Sequence, residues 1–250
     1  MFCGSSLAIR FAALALLGFC HSHRSASAEP LVACGEFTKI PIAEPVPRED
    51  PHALERLRVI NAAVKTKEHP ILFLGDSITE RWPAEIWRSL FEPRDAINAG
   101  IDGDRTEHLL WRLDHGNLDG QPPKAVVLLI GTNDLGHGRS TEMAAEGIRA
   151  NLIRLTERLP ATQIFLLGLT PRSDRFSGEI ETVNRKIATC QGGFVLYTDL
   201  SESVLDAQHH LSRELSVDGV HFTEAGYARL AARLTALLDK GRRDTSHPSR

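Results

Sequence analysis

The chain has 250 residues, of which 42% are hydrophobic and 24% are charged, and its formal net charge is −3 with neutral histidines. This composition is typical of a globular protein, and the length suits one domain or at most two. No block of like charges stands out, so the sequence gives no electrostatic reason to expect binding to nucleic acid.

The first predicted element is a cleavable export signal over residues 1–28. Arg10 precedes the apolar run FAALALLGFC (11–20), and a polar stretch then leads to Ala26-Ser27-Ala28. A basic start, an apolar run and an A-x-A site are typical of a secretory signal peptide, and a spanning helix would need about 20 apolar residues. We therefore expect cleavage after Ala28, no membrane span, and a secreted or periplasmic protein. A disordered apolar leader on a cytosolic protein is the alternative.

Two cysteines would remain after this cleavage, Cys34 and Cys190. An oxidising compartment permits a disulfide between them, but the sequence does not show whether they are near each other. Two free, partly buried thiols are the alternative. Neither cysteine has the spacing of a metal ligand, and we expect no metal and no cofactor.

An arm rich in proline and charge (29–50) precedes a single predicted domain (51–240), and a disordered tail is predicted over 241–250. The domain opens with a predicted helix over 52–66. Its apolar residues recur at steps of three and four: Leu54, Leu57, Ile60 and Val64.

Five short apolar segments predict the strands of one sheet: 71–75, 95–100, 125–131, 163–169 and 194–200. Most are continuous rather than alternating, which is typical of strands covered on both faces in a parallel sheet. Amphipathic segments predict helices over 141–158, 179–190 and 224–239, the first capped by Ser140 or Thr141 and the last by Thr223. This alternation predicts a doubly wound α/β fold, in which ligands bind at the carboxyl ends of the strands.

Polar residues of unusual type stand at these strand ends and before the last helix. Ser77 follows the first strand in GDSIT, Gly100 ends the second in NAG, and Asn133 follows the third in GTND. Asp218 and His221 stand three residues apart in DGVH. Singly, these residues are more readily explained as turn residues or as a surface histidine; together, in this order, they favour a catalytic site.

Ester hydrolysis needs groups of these types. A serine hydroxyl becomes an effective nucleophile when a base takes its proton, and His221 is the candidate base for Ser77. A carboxylate, for which Asp218 is the candidate, holds the imidazole in one tautomer and stabilises its cation. The oxyanion of the tetrahedral intermediate needs donors, and the candidates are the N–H groups of Ser77 and Gly100 and the side-chain amide of Asn133.

Two further aspartates follow strands. Asp76 is an alternative triad acid, but adjacent side chains diverge, so we expect it to bind backbone N–H groups of its loop. We expect the same of Asp134. Trp111 lies on the apolar face of its helix and is expected in the core.

The segments GDSIT, NAG, GTND and DGVH resemble the four blocks of the SGNH (GDSL-type) hydrolases, in the same order. The resemblance implies a flavodoxin-like three-layer α/β/α sandwich with a five-stranded parallel sheet. It also implies a triad of Ser77, Asp218 and His221, and an oxyanion hole formed by Ser77, Gly100 and Asn133.

Within that family, residues 100–113, 126–136 and 166–172 are most similar to the catalytic subunits of intracellular platelet-activating factor acetylhydrolase. Those subunits dimerise, so the resemblance implies a homodimer, whereas the export signal departs from their intracellular location. Arg105 also departs from their pattern, since a small hydroxyl residue is commoner there. We expect Arg105 to narrow the site or to place a cation near the substrate.

We therefore expect a serine esterase, a carboxylic ester hydrolase that acts on short-chain acyl esters, above all acetyl esters. The gaps between the blocks are short and leave no long insertion that could cover a long acyl chain. The expected substrate is an acetylated carbohydrate or a phospholipid. The alternatives are a lysophospholipase or thioesterase of the same fold, or a non-catalytic carbohydrate-binding module.

Overall fold

The computed structural model describes Met1, residues 34–35, residue 37 and residues 40–245. The expected signal peptide, with its cleavage site after Ala28, therefore lies outside the described residues except for Met1. Residues 40–50 form an arm without helix or strand. A disulfide joins Cys34 to Cys190 with an S–S distance of 2.11 Å, and so attaches the N-terminal segment covalently to the domain.

The five strands are β1 (Ile71–Gly75), β2 (Ala96–Gly100), β3 (Ala125–Leu129), β4 (Gln163–Leu167) and β5 (Val195–Thr198). The helices are α1 (Pro51–Thr66), α2 (Ser77–Glu80), α3 (Thr106–Leu113), α4 (Thr132–Gly136), α5 (Thr141–Arg158), α6 (Ser177–Ile187) and α7 (Glu224–Thr245). Short helical turns, unlabelled here, cover Ala84–Ile86, Trp87–Phe91, Glu92–Arg94, Asp174–Phe176, Ala188–Cys190 and Ser201–Ser203.

All strand pairs are parallel, and the sheet order is β2-β1-β3-β4-β5. Helices α3, α5 and α6 pack together on one face. On the other face, Leu230 and Leu234 of α7 lie against Phe73 and Leu129 of the sheet. The predicted α/β sandwich with a five-stranded parallel sheet is confirmed.

The strands end earlier than their apolar runs. Ile130, Leu169 and Leu200 were predicted as strand residues, yet each follows the last paired residue of its strand. All three are nonetheless buried, at 2%, 0% and 4% exposure. Hydrophobicity therefore marks burial beneath the carboxyl edge of the sheet as well as strand pairing.

The helical predictions hold with two corrections. Ser140 caps α5 by accepting the Met143 N–H, but in α1 Leu54 is 49% exposed while Ala53 is 2% exposed and faces the core. The last helix runs to Thr245, so the predicted tail over 241–250 is wrong for its first five residues. Each added residue extends an existing helix at little cost, because the unfavourable step is nucleation. Residues 246–250 lie outside the described part.

The outer edge of β2 is covered by an arginine of α1. Arg56 Nη2 donates to the carbonyl oxygens of Asn98 at 3.1 Å and Gly100 at 3.0 Å. These carbonyls face away from β1 and would otherwise form an open sheet edge. None of the helices in the described part is both long and apolar enough to cross a membrane.

Candidate active site

Ser77 stands at the carboxyl edge of the sheet as the first residue of α2. Asp76 caps this short helix, because its Oδ1 accepts the Ile78 N–H at 2.9 Å. A Cβ on Gly75 would lie 2.1 Å from Thr79 Oγ1, so only glycine lets α2 fold back against the end of β1. The serine is therefore held on a fixed element beside the sheet edge.

The imidazole of His221 contacts the serine directly. Its Nε2 lies 2.9 Å from Ser77 Oγ, and its Nδ1 lies 2.7 Å from Asp218 Oδ2. Two backbone hydrogen bonds hold the loop 217–221, which carries Asp218 and His221. The Val217 N–H donates to the His221 carbonyl at 2.8 Å, and the Ser173 N–H donates to the Gly219 carbonyl at 2.7 Å. The three residues expected to form a triad thus form a continuous chain of hydrogen-bonding contacts.

Asp218 holds a negative charge against this imidazole. Its Oδ1 accepts the N–H groups of Val220 at 3.0 Å and His221 at 2.8 Å. Burial acts to raise the pKa of Asp218, but these hydrogen bonds and the one from the imidazole outweigh it and lower the pKa to about 2. The carboxylate is ionised at neutral pH and can stabilise an imidazolium.

Asp76, the alternative triad acid, instead caps the loop backbone, as predicted. Asp134 also accepts a backbone N–H, but not one of its own loop: its Oδ2 accepts the N–H of Thr106, at the start of α3, at 3.0 Å. Burial raises the pKa of Asp76 to about 7, against the hydrogen bond from Ile78 and with the help of the nearby charge of Asp104. Asp76 Oδ2 has no hydrogen-bond partner among the described residues.

Gly100 was expected to offer its N–H to an oxyanion, but in the structure this N–H already forms a hydrogen bond. The Gly100 N–H donates to Asn98 Oδ1 at 3.0 Å. A Cβ at this position would lie 2.3 Å from the backbone nitrogen of Glu80. Glycine is therefore required at position 100 for the close approach of β2 and α2.

A second glycine, in the loop after β2, has an N–H that no described residue engages. Gly103 has φ +79°, and its N–H makes no hydrogen bond with the described residues. Asn133 reaches this loop, because its Nδ2 donates to the carbonyl of Asp104 at 2.9 Å. A side-chain amide carries two N–H groups, so one remains for a ligand.

A buried arginine that sequence reasoning did not single out connects these loops. Arg112 of α3 is 2% exposed and donates from Nε to Asp104 Oδ2 at 2.7 Å and from Nη2 to the carbonyl of Gly75 at 2.8 Å. Its Nη1 bonds Asn117 Oδ1. Trp111 was expected in the core, but it is only partly buried and stacks on His115, with 3.9 Å between the ring centroids. The helix places Arg112 in the interior instead.

Arg105, which directly precedes α3, pairs with a carboxylate in the first turn of that helix. Its Nε donates to Glu107 Oε1 at 2.6 Å, and Glu107 also accepts from Arg139 at 2.7 Å. The Arg105 N–H donates to His108 Nδ1 at 3.0 Å, and burial lowers the pKa of His108 to about 4, so this ring is neutral. The cation expected from Arg105 is thus balanced by Glu107.

The described residues contain no group of three or more histidine, cysteine, aspartate or glutamate side chains placed to hold a metal ion. The chemistry that the site offers comes from a hydroxyl, an imidazole, a carboxylate and uncommitted N–H donors. Those four kinds of group are what acyl transfer by a serine nucleophile requires.

Comparison with known proteins agrees with this chemistry. Residues 73–229 match the GDSL-like Lipase/Acylhydrolase family. The chain is 32% identical over 208 residues to platelet-activating factor acetylhydrolase IB subunit alpha1 of Homo sapiens, covering 79% of this chain and 89% of that protein. It is 35% identical over 180 residues to subunit alpha2 of Rattus norvegicus, covering 70% and 78%. Among solved structures, a GDSL-like lipase of Bacteroides thetaiotaomicron shares the fold, with a TM-score of 0.64, 20% identity, and coverage of 75% of this chain and 97% of that one.

Proposed function

This chain belongs to the GDSL-like Lipase/Acylhydrolase family and is a carboxylic ester hydrolase, and we propose that it cleaves short-chain acyl esters with Ser77, His221 and Asp218 as its catalytic triad. The observation that carries the proposal is the 2.9 Å contact between Ser77 Oγ and His221 Nε2, with Asp218 on the opposite ring nitrogen. Geometry of this kind supports the roles of nucleophile, base and base-orienting group for these three residues.

In the proposed reaction, Ser77 Oγ attacks the ester carbonyl while His221 Nε2 takes the hydroxyl proton. The tetrahedral intermediate then collapses, and the C–O bond to the alcohol breaks as the imidazolium returns the proton to the leaving oxygen. Water attacks the acyl-serine by the same route and releases the carboxylic acid. Asp218 stays ionised throughout, because its pKa is lowered to about 2.

We propose that the oxyanion is stabilised by the N–H groups of Ser77 and Gly103 and by Asn133 Nδ2. Gly103 takes the place expected of Gly100, whose N–H is already bonded to Asn98. Support comes from the Asp104 carbonyl, which follows Gly103 and holds the amide of Asn133. A donor that has no partner in the free enzyme loses nothing when the oxyanion forms.

An acetyl group is the proposed acyl group. The named activity of the relatives, platelet-activating factor acetylhydrolase, supports this preference. So do the short gaps between the sequence blocks that carry Ser77, Gly100, Asn133 and His221, which leave no long insertion to cover a long acyl chain. A lysophospholipase or thioesterase of the same fold would need such a cover for its acyl chain. A non-catalytic carbohydrate-binding module would not need the contact between Ser77 and His221.

Hydrolysis of p-nitrophenyl esters of increasing acyl length tests the proposal, with wild type, Ser77→Ala and Ser89→Ala compared. Ser89 is an exposed serine on a helical turn and serves as the matched control. We expect the acetyl ester to be preferred and activity to disappear only in Ser77→Ala. Near-full activity of Ser77→Ala would exclude the triad, and preference for long esters would exclude the acetyl assignment. Acetate release from acetylated xylan, compared with cleavage of lysophospholipid, separates the substrate classes.

We also propose that the protein is exported and cleaved after Ala28. The disulfide between Cys34 and Cys190 supports export, because such bonds persist in oxidising compartments. N-terminal sequencing of the protein recovered from its native compartment tests this. A mature protein that starts at Glu29 is expected, whereas retention of residues 1–28 would contradict it. Homodimerisation remains a prediction from the resemblance and is measured by light scattering.

A further inference from the structure

Two arginines at the rim of the site form no ion pair with a carboxylate of the described residues. Arg172 and Arg175 lie in the loop between β4 and α6, and both guanidinium groups pack on the ring of Phe176, at 4.0 and 4.5 Å from its centroid. Neither forms an ion pair within the described part of the chain. Most other arginines of the described region do form one.

Arg172 is placed between the two loops that carry the catalytic groups. Its Nη1 donates to the carbonyl of Thr132 at 2.7 Å, and Thr132 precedes Asn133. The next residue, Ser173, donates its N–H to the carbonyl of Gly219 at 2.7 Å. The guanidinium therefore borders both the proposed oxyanion donor of α4 and the loop that holds the imidazole.

Most of the donors of Arg172 are uncommitted. A guanidinium has five N–H groups, and only Nη1 has partners among the described residues. Nε is buried without a partner. Burial, together with the charge of Arg175, lowers the pKa of Arg172, yet an arginine stays charged at neutral pH. The charges of Asp76, Asp218 and Glu179 act in the opposite direction, but none of them forms an ion pair with Arg172. A partly buried cation without a direct ion pair gains free energy when an anion binds to it.

Arg172 also forms part of the wall of a groove of about 600 Å³ beyond the ends of β4 and β5. Three acidic side chains line that groove, and two of them lie beside a basic group. Glu181 pairs with Arg185 at 3.0 Å, and Glu202 lies 3.7 Å from His209. The third, Asp199, accepts the Ser201 N–H on Oδ1 at 2.8 Å. The groove is large enough for a sugar or a headgroup, and Arg172 is the arginine of its wall that forms no ion pair with the described residues.

We propose that Arg172, assisted by Arg175, binds an anionic group on the alcohol part of the ester, so that the substrates are acyl esters of negatively charged alcohols. This inference rests on the proposed function, because it assigns the leaving-group side of the same site. The planar fork of a guanidinium matches a carboxylate and a phosphate equally well. The shared chemistry is thus an anionic oxygen group, whether from a sugar acid or from a phosphate headgroup.

The test compares two matched pairs of acetyl esters. Acetylated glucuronic acid is compared with acetylated glucuronamide, and 1-acetylglycerol 3-phosphate is compared with 1-acetylglycerol. The readout is the ratio of kcat/KM for the anionic ester to kcat/KM for its neutral partner. We expect a wild-type ratio well above one in at least one pair, and a fall of this ratio by about tenfold to hundredfold in Arg172→Gln.

Three further variants make the ratio interpretable. Arg175→Gln should lower it less than Arg172→Gln, because Arg175 is exposed, and Arg172→Lys should retain part of it. Arg58→Gln is the matched control, since Arg58 is an exposed arginine of α1 paired with Glu55, and it should leave the ratio unchanged. The wild-type ratio should also fall as salt is added, which tests the proposal even if a variant fails to fold.

The possible outcomes distinguish failure of the proposed anion site from failure of the proposed esterase function. Loss confined to the sugar pair identifies a carboxylate, and loss confined to the glycerol pair identifies a phosphate. A wild-type ratio at or below one in both pairs, or a ratio insensitive to both salt and Arg172→Gln, would overturn the anion site. Acetate release from neutral esters that disappears in Ser77→Ala would then still support the esterase, whereas release that persists in Ser77→Ala rejects the proposed function itself.

Discussion

The side chain of Arg112 donates a 2.8 Å hydrogen bond to the carbonyl oxygen of Gly75, and so joins α3 to the end of the strand that leads to Ser77. The same guanidinium binds Asp104, whose carbonyl holds the amide of Asn133. One buried cation thus ties together the loops after β1, β2 and β3. These loops carry the nucleophile and the proposed oxyanion donors, so their relative positions depend on Arg112.

Replacing Arg112 by methionine should damage both stability and catalysis. The buried carboxylate of Asp104 would lose its main partner, which typically costs about 3–5 kcal/mol in the free energy of unfolding. At a temperature where Arg112→Met is folded, we expect kcat to fall by more than KM rises, because the oxyanion donors are displaced. Urea unfolding and steady-state kinetics measure the two effects. Arg112→Lys should recover part of kcat, whereas equal kcat in all three proteins would show that Arg112 has no positioning role.

Alanine at Gly103 should separate the two candidate glycine donors. A Cβ there meets only the end of the Arg48 side chain, at 2.9 Å, and the positive φ costs about 1–2 kcal/mol. Gly103→Ala should therefore fold and lose kcat at least tenfold, as the N–H shifts away from the oxyanion. Circular dichroism and kcat measure this. Gly100→Ala should instead fail to fold normally, since its Cβ would lie 2.3 Å from Glu80 backbone nitrogen. Full activity in Gly103→Ala would show that a group other than the Gly103 N–H donates to the oxyanion.

The buried carboxyl of Asp76 predicts a dependence of stability on pH. Its pKa is raised to about 7 by burial, so between about pH 4 and pH 7 the folded protein holds a proton that the unfolded chain releases. This group therefore lowers stability as pH rises through that window, by at most about 1.4 kcal/mol per pH unit. Asp76→Asn keeps an acceptor for the Ile78 N–H and removes the titration.

The measurement is urea unfolding of wild type and Asp76→Asn from pH 4 to pH 8. The difference between the two curves is the relevant quantity, because His108 acts in the opposite direction. Burial lowers the pKa of His108 to about 4, so its contribution to stability rises with pH through the window from about 4 to 6.5. We expect the variant to gain stability relative to wild type as pH increases. A constant difference would contradict a protonated Asp76 in the folded state.

Loss of the disulfide should weaken the fold without affecting the chemistry. The bond joins residues 156 positions apart in sequence, and its removal typically costs about 2–4 kcal/mol. We expect Cys34→Ser and Cys190→Ser to lower the unfolding midpoint equally, with kcat unchanged. A reducing agent should lower the midpoint of wild type but not of either variant. If reduction leaves wild type unchanged, the two thiols are not bonded in solution.

The sequence could predict the sheet and the catalytic groups for identifiable reasons. A strand such as Ile71–Gly75 is buried on both faces, and its continuous apolar run is unlike that of a surface strand. Ser77, Asn133 and His221 follow from the chemistry of the reaction once their order along the chain matches a known family. The distances between these side chains depend on the conformations of the loops that carry them, which the sequence alone does not give.

The remaining features depend on contacts that no local pattern encodes. Spacing alone cannot show that the Gly100 N–H donates to Asn98 while the Gly103 N–H has no partner among the described residues, since the two glycines stand only three positions apart. Arg112 looks like an exposed residue of an amphipathic helix, and only the packing of α3 shows that it is buried. Ala53 lies in the core in place of Leu54, because residue 53 also stands at a step of three or four residues from the next apolar position, Leu57.

Covalent labelling of the nucleophile tests the central claim most directly. A fluorophosphonate reacts with a serine activated by its base, and peptide mass spectrometry locates the adduct. We predict one adduct per chain, on Ser77, and strongly reduced labelling in His221→Ala, since the base lies 2.9 Å from the hydroxyl. An adduct on another serine of the active protein, or full labelling of Ser77 in His221→Ala, would contradict the account.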